Sequence, residues 1–241
     1  MKESFGLHTF NTLDETKARI VAGMQDTVSC AQGDILFFVS GGSVLGVLNG
    51  IDFGVRAEKV TVCLLDERFS NEPSVNNFLQ LQQTDFYKKS IKKGVHFIES
   101  IPQKTESLED FSKRFEREVT SWLDNHAERT IIAVFGMGAD GHTAGVFPYP
   151  ENKDYFDETF LKTKHAVIGF DVGDKNQYKK RITTTPVLWT EINHAFLYAC
   201  GPEKKEKLHE LLYGKTHAPH SLPVSLIYQT KKQSIYTDQK I

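Results

Sequence analysis

Val134-Phe135-Gly136-Met137-Gly138-Ala139-Asp140-Gly141-His142-Thr143-Ala144-Gly145-Val146-Phe147-Pro148 is the stretch on which the reading of this chain turns. An apolar, β-type run, Ile131–Phe135, stops abruptly at three closely spaced glycines, and one carboxylate and one imidazole follow at once. In an α/β protein the loop leaving the carboxyl end of a buried strand is where ligands sit. A histidine there can exchange protons near neutral pH. Gly136, Gly138 and Gly141 also form a literal G-x-G-x-x-G, and Asp157 stands downstream where a dinucleotide fingerprint wants an acid. Against that reading, Pro148 and Pro150 end any helix within two turns, and no apolar strand precedes Asp157 to hold it at a ribose.

Outward from this loop, strand-like and helix-like segments alternate. Asn11–Cys30 has helical spacing of Leu13, Ala18, Ile20, Val21 and Met24. Ile35–Val39 and Val60–Leu65 are short apolar runs of the kind buried on both faces of a sheet. Ser43–Ile51 and Asn76–Tyr87 read as helices, Val95–Ile98 as a short strand, and Leu108–Leu123 as an amphipathic helix with Phe111, Phe115, Val119 and Trp122 on one side. Ala166–Phe170, Ile182–Thr185 and Ala195–Cys200 are further strands. A helix over Glu203–Tyr213 and an edge strand over Gln233–Thr237 complete the pattern. This alternation predicts a mostly parallel sheet with helices on both faces. No repeat, linker or composition break divides the 241 residues, so a single domain over residues 1–241 is expected.

Bulk properties narrow the function classes. Net charge is −2, with lysine and arginine scattered. The lysine pairs at 88–89, 92–93, 179–180 and 231–232 read as solvated faces, so no nucleic-acid partner is expected. No apolar run approaches the ~20 residues of a membrane span, and the N-terminus lacks a signal-peptide pattern. Cys30, Cys63 and Cys200 are odd in number and far apart, which fits reduced, mostly buried thiols in a cytoplasm.

Two more loops leave the ends of strands. Ser40-Gly41-Gly42-Ser43 follows Val39 and starts a helix. Its glycines allow backbone N–H groups to approach an anion, the helix terminus adds partial positive charge, and the two hydroxyls can donate. It is equally the form of an ordinary turn with Ser43 as the capping residue. It lacks the Gly-Lys-Ser/Thr of a Walker loop and, with Leu45 after Ser43, the second glycine of a serine-hydrolase elbow. Asp66-Glu67-Arg68 follows Leu65 and offers two carboxylates and a guanidinium to a polyhydroxylated or phosphorylated ligand, or else a structural ion pair. Asn77 can add an amide contact or start a helix. His217 and His220 lack a third ligand and have Pro219 between them, so they read as surface loop rather than metal site.

Ser40–Ser43, Asp66-Glu67-Arg68, Asn77, and Gly136–Ala144 followed by Phe147-Pro148 occur in an order that resembles the 6-phosphogluconolactonases, hydrolases of the oxidative pentose phosphate pathway. The resemblance continues in Arg181-Ile-Thr-Thr-Thr, Gly201-Pro-Glu-Lys204 and Leu222-Pro223, and so spans most of the chain. Glucosamine-6-phosphate deaminases of the same superfamily share the first loop but carry Asp-Glu-Tyr and an Asn-Gly-His-Ile type motif, so Arg68, Asp140 and Thr143 favour the lactonase. The chain departs from the family at Val44-Leu45, where Thr-Pro is usual, and at Gly145-Val146, where Ser-Leu is usual.

The resemblance implies a three-layer α/β/α sandwich with a Rossmann-like sheet and hydrolysis of 6-phosphogluconolactone with no metal or organic cofactor. It implies His142 as the base, with Asp140 or Asp66 holding its imidazole. Ser40, Gly41, Gly42, Ser43, Arg68, Asn77, Arg181 and Lys204 would bind the sugar phosphate, and backbone N–H groups of the glycine loop would receive the oxyanion. An amino-sugar-phosphate deaminase using Asp66, and a non-catalytic sugar-phosphate sensor, are the alternatives. The sequence leaves the oligomeric state open.

Overall fold

The computed structural model describes residues 6–215 and 218–241. Seven strands form one wholly parallel sheet in the order β1-β10-β9-β6-β2-β3-β5. They are β1 (Gly6–Thr9), β2 (Asp34–Val39), β3 (Val60–Leu64), β5 (His96–Phe97), β6 (Arg129–Gly136), β9 (His194–Tyr198) and β10 (Gln233–Thr237). A second, antiparallel sheet holds β4 (Asp66–Arg68), β8 (Lys180–Thr184) and β7 (Val167–Asp171) in the order β4-β8-β7.

Side-chain alternation explains why the central strands read as unbroken apolar runs. Along β2, Leu36 and Phe38 enter the core on one face of the sheet. Ile35, Phe37 and Val39 enter the core on the other. The first core is closed by α5 (Leu108–Asn125) through Phe111, Phe115 and Val119, by Phe156 of α6 (Lys153–Phe156), by Trp189 of α7 (Pro186–Trp189), and by Leu208 and Leu211 of α8 (Lys205–Tyr213). The second is closed by Ile20, Met24 and Val28 of α1 (Leu13–Cys30), by α2 (Ser43–Leu48), and by Phe78 and Phe86 of α3 (Asn77–Gln83) and α4 (Asp85–Lys92). Three layers result, as the alternation predicts.

Several boundaries differ from the sequence expectations, each for a local reason. The helix expected over Asn76–Tyr87 is two helices. Thr84 has extended backbone and ends α3, while its hydroxyl caps α4 by accepting from the N–H of Tyr87 at 3.1 Å. Gln233–Thr237 is not an edge strand, because β1 pairs with it from outside. Ala166–Phe170 and Ile182–Thr185 do form strands, but in the antiparallel sheet. Asp66-Glu67-Arg68 is not a loop either. The chain passes from β3 through Leu65 straight into β4, which turns away to pair with β8.

Cys63 and Cys200 are buried and Cys30 is exposed, and all three are free thiols. Among the described residues no helix is long and apolar enough to cross a membrane.

Strand order fixes where a ligand can go. From β2 the chain builds outward to β3 and β5 on one side, and β6 begins the other wing through β9 and β10. The crevice at the carboxyl ends of β2 and β6 is therefore the topological switch point, the place where open parallel sheets bind ligands. The loops that start at Ser40 and at Gly136 both open there.

Candidate active site

A cleft of about 280 Å³ lies at that switch point. It is lined by Ser40–Ser43 after β2, by Asp66, Arg68 and Asn77, by residues of the 136–147 loop that include His142, and by Asn176 and Arg181 of the second sheet. Three separate strand ends thus contribute the side chains that the sequence singles out. Asp140 and Lys204 are the exceptions: Asp140 stands behind His142 rather than on the cleft wall. Lys204 is buried at the start of α8 but is not among the residues that line the cleft.

The 136–147 loop is braced largely by its own backbone. Gly138 N–H donates to the carbonyl of His142 at 2.9 Å, Gly141 N–H to that of Gly138 at 3.1 Å, and Val224 N–H to that of Gly141 at 3.0 Å. Thr143 donates its hydroxyl to the carbonyl of Gly136 at 2.7 Å. Thr143 and Val146 exchange backbone hydrogen bonds around a tight turn in which Ala144 (φ 46°) and Gly145 (φ 71°) both have positive φ. Ala144 is the one non-glycine residue with positive φ among the described residues, and it lines the cleft. Backbone strain held at a cleft wall is a common mark of a functional loop.

This scaffold presents the His142 imidazole at a fixed angle. Asp140 Oδ1 lies 2.6 Å from Nδ1 of His142 and accepts from the same residue's backbone N–H at 3.1 Å. The ring stacks on Phe147 with centroids 4.6 Å apart. Burial pushes the Asp140 carboxyl up, but the hydrogen bond and charge of His142 outweigh it and hold the group below the usual carboxylate range. With Asp140 accepting at Nδ1, the ring nitrogen left for other partners is Nε2, the position from which a general base acts.

Period-two alternation sorts Asp66-Glu67-Arg68. Asp66 and Arg68 line the cleft, whereas Glu67 points the other way and is wholly buried. Its carboxylate accepts from the N–H groups of Arg68, Asn77 and Phe78 and from the Ser100 hydroxyl, at 2.6–2.9 Å. Burial pushes the Glu67 carboxyl up to about 8 against those four donors. Glu67 therefore pins the start of α3 beneath the cleft. Asn77 donates its amide to the carbonyl of Asp66 at 3.0 Å, which leaves its own buried Oδ1 without a donor.

Arg68 and Arg181 are directly opposed in the β4–β8 register. Arg181 is buried and lies 3.6 Å from Asp66 through Nη1. Its guanidinium sits 5.2 Å from the centroid of Phe147, the ring that also carries His142. Burial lowers its pKa, with Asp66 opposing and Arg68 assisting. Free backbone donors lie on both loops, since the N–H groups of Gly41 and Gly42 on the first and of Ala144 and Gly145 on the third have no acceptor in the described protein.

Sequence reasoning did not single out Phe147 or Asn176 as site residues. Phe147 is visible only as part of the motif. Asn176 sits in a polar hairpin with no apolar periodicity to place it. His217 lies outside the described residues. His220 accepts at its backbone carbonyl from Tyr149 N–H at 2.6 Å, which uses its main chain rather than its ring. Among the described residues no three His, Cys, Asp or Glu side chains come together as a metal-binding group.

Fold and cleft together define a Rossmann-like α/β protein with a carboxylate-oriented histidine facing paired arginines. The chain belongs to the glucosamine-6-phosphate isomerase/6-phosphogluconolactonase family, whose description matches residues 10–236. It is 25% identical over 196 residues to a 6-phosphogluconolactonase of Helicobacter pylori strain ATCC 700392 / 26695, covering 81% of this chain and 78% of that one. Against the 6-phosphogluconolactonase of strain J99 it is 30% identical over 115 residues, which is 48% of this chain and 46% of the relative. Among solved structures, the 6-phosphogluconolactonase of Thermotoga maritima superposes with a TM-score of 0.75 at 21% identity, covering 97% of this chain and 99% of that one. That of Trypanosoma brucei gives 0.73 at 15% identity, covering 97% and 96%. At these identities the superpositions establish the fold.

Proposed function

We propose that the protein hydrolyses 6-phosphoglucono-1,5-lactone to 6-phosphogluconate, the lactonase step of the oxidative pentose phosphate pathway, in the cytoplasm and without a metal or organic cofactor. The observation that carries this reading is His142, held by Asp140 at 2.6 Å and lining a cleft that also holds two opposed arginines. Neutral His142 takes a proton from water at Nε2 as the water oxygen bonds to the lactone carbonyl carbon. Asp140 keeps the other ring nitrogen protonated and stabilises the imidazolium. The tetrahedral oxyanion collapses, the ring C–O bond breaks, and the imidazolium returns its proton to the departing alkoxide.

Ala144 and Gly145 line the cleft with amides that have no acceptor in the described protein, which suits them to the oxyanion. The amides of Gly41 and Gly42, with Arg181, suit the phosphate, while Arg68 and Asn77 face the sugar between. Lys204 is left out of this assignment because it does not line the cleft.

The test is hydrolysis of freshly generated lactone, measured above its spontaneous background, beside ammonia release from glucosamine-6-phosphate. Lactone turnover that His142→Ala lowers by roughly 10²–10⁴ is the expected result. Ammonia release with no lactone turnover would instead assign the site to the deaminase branch, with Asp66 as the base.

A further inference from the structure

The Nε and Nη2 edge of the Arg181 guanidinium is held by one short stretch of the hairpin between β7 and β8. Nε donates to the carbonyl of Tyr178 at 3.1 Å, and Nη2 donates to Oδ1 of Asn176 at 3.1 Å. Asn176 Oδ1 also accepts from the N–H of Tyr178 at 2.9 Å, which closes a turn of the kind asparagine favours. The same hairpin steadies the second cation of the cleft, because the Tyr178 ring lies 5.9 Å from the Arg68 guanidinium.

These bonds settle the orientation of the Asn176 amide. Two N–H donors converge on one atom, so that atom is the oxygen, and the nitrogen takes the opposite side. Asn176 Nδ2 has no acceptor in the described protein, and Asn176 lines the cleft beside Arg181. With its Nε edge occupied, Arg181 keeps only its outer Nη1–Nη2 edge for other partners, and Asp66 takes one side of that at 3.6 Å. An anion seated on Arg181 therefore meets a pre-oriented amide donor next to the guanidinium.

We infer that Asn176 is a specificity-determining residue, donating from Nδ2 to the phosphate of the substrate while its Oδ1 fixes the Arg181 fork. The inference rests on the lactonase reading for the identity of the substrate, but not for the presence of an anion. It differs from a purely structural role in one respect. A structural Asn176 works through its oxygen alone, and an aspartate supplies that oxygen too.

Asn176→Asp separates the two. It keeps an acceptor for Arg181 and Tyr178 and replaces the free donor with negative charge. Loss of a hydrogen bond to a charged group corresponds to roughly ten- to a hundredfold. Asn176→Asp should raise KM for the phosphorylated lactone at least that far with kcat largely kept. Asn176→Ala should raise it less, and in both variants the loss on unphosphorylated gluconolactone should be much smaller than on the phosphorylated lactone. A wild-type KM in Asn176→Asp, or equal losses on both lactones, would overturn the inference. Binding of inorganic phosphate by calorimetry reads the same residue independently of turnover. Wild-type binding that is lost in Asn176→Asp supports the assignment, while equal affinities or no binding to either protein defeats it. Wild type that binds phosphate but leaves the lactone intact would sink the lactonase reading alone.

Discussion

Arg68 and Arg181 face each other across the antiparallel pair of β4 and β8. Like charges directly opposite on a sheet are destabilising, and here one of the two is buried. Among the described residues only Arg181 has a carboxylate close by, Asp66 at 3.6 Å, while Arg68 spends one N–H on the carbonyl of Val75 at 2.8 Å and buries its Nε with no partner among them. Such a pair is best neutralised by an anion from solution. Millimolar phosphate or sulfate should raise Tm more than chloride at the same ionic strength, because a ligand that binds only the folded state stabilises it. Arg68→Gln should abolish most of that increment. Identical melting curves in the three salts would remove the anion from this account.

Gly138 and His142 give the second prediction. A Cβ on Gly138 would overlap Nδ1 and Cε1 of the His142 ring and crowd Asp140 Oδ1, at 2.7 Å. The imidazole is the movable partner, so Gly138→Ala should fold with a Tm close to wild type and yet displace the base. Misplacement of a reacting group by about 1 Å can cost roughly 10²-fold. Gly138→Ala should therefore lose about that much in kcat and approach His142→Ala. A variant with wild-type kcat would mean that the ring position in the resting structure is not the working one.

What could be read in advance, and what could not, follows from where the information lies along the chain. The buried parallel strands announce themselves because both faces are apolar, and so the three segments that follow them were legible as candidate sites. β4 was not legible, since three charged residues have no strand propensity of their own and Asp66–Arg68 is extended only because β8 pairs with it. Missing that strand hid the alternation that turns Glu67 away from the cleft. β1 is four residues long and gains its meaning from pairing with β10, more than two hundred positions away. Asn176 acts through contacts with Arg181 and Tyr178 that no local pattern encodes. Lys204 stands in a motif piece that fits the family, but its place at the start of α8 leaves it off the cleft wall.

Gly145 shows why one departure from the family pattern belongs to this chain. It has φ 71°, and a Cβ there would stand 2.9 Å from Oδ2 of Asp66, the carboxylate beside Arg181. Left-handed backbone costs an L-residue roughly 1–2 kcal/mol before the contact is counted. Gly145→Ser should therefore lower stability by about that amount in denaturant titration and weaken binding by moving Asp66. Unchanged stability would imply that the 143–146 turn re-forms in another conformation.

Glu67 is the buried anchor of the site and does not touch the cleft. Removing its carboxylate orphans three backbone N–H groups and the Ser100 hydroxyl. Each buried donor left unsatisfied costs about 1–3 kcal/mol, less where water enters. Glu67→Ala should lose on the order of 4 kcal/mol and loosen the start of α3, which hydrogen exchange at Asn77 and Phe78 would register. A loss below about 1 kcal/mol would show that water replaces the carboxylate without penalty.

His194 sets the last expectation, a dependence of stability on pH. It lies at the start of β9 with Nε2 2.8 Å from the Ser234 hydroxyl and Nδ1 3.3 Å from that of Thr27. Burial, with help from the charge of Lys232 and from His8, holds its imidazole down to about 4 against an ordinary 6.5. The unfolded chain thus takes up the proton first as pH falls. The contribution of neutral His194 is complete above about 6.5 and is lost progressively toward 4, up to about 3 kcal/mol in all. Glu67 acts in the opposite sense. With its carboxyl raised to about 8, the folded state takes up that proton first, so acidification from 8 toward 4.5 adds stability. The two partly cancel in wild type between 6.5 and 4.5, and a simple pH titration of Tm would understate both. The difference in unfolding free energy between wild type and His194→Gln isolates the histidine, since Glu67 is common to the two. That difference should be flat above pH 7 and fall by up to about 3 kcal/mol, in favour of the variant, by pH 4. Parallel stability curves over that range would show that His194 is no harder to protonate in the folded protein than in the unfolded chain.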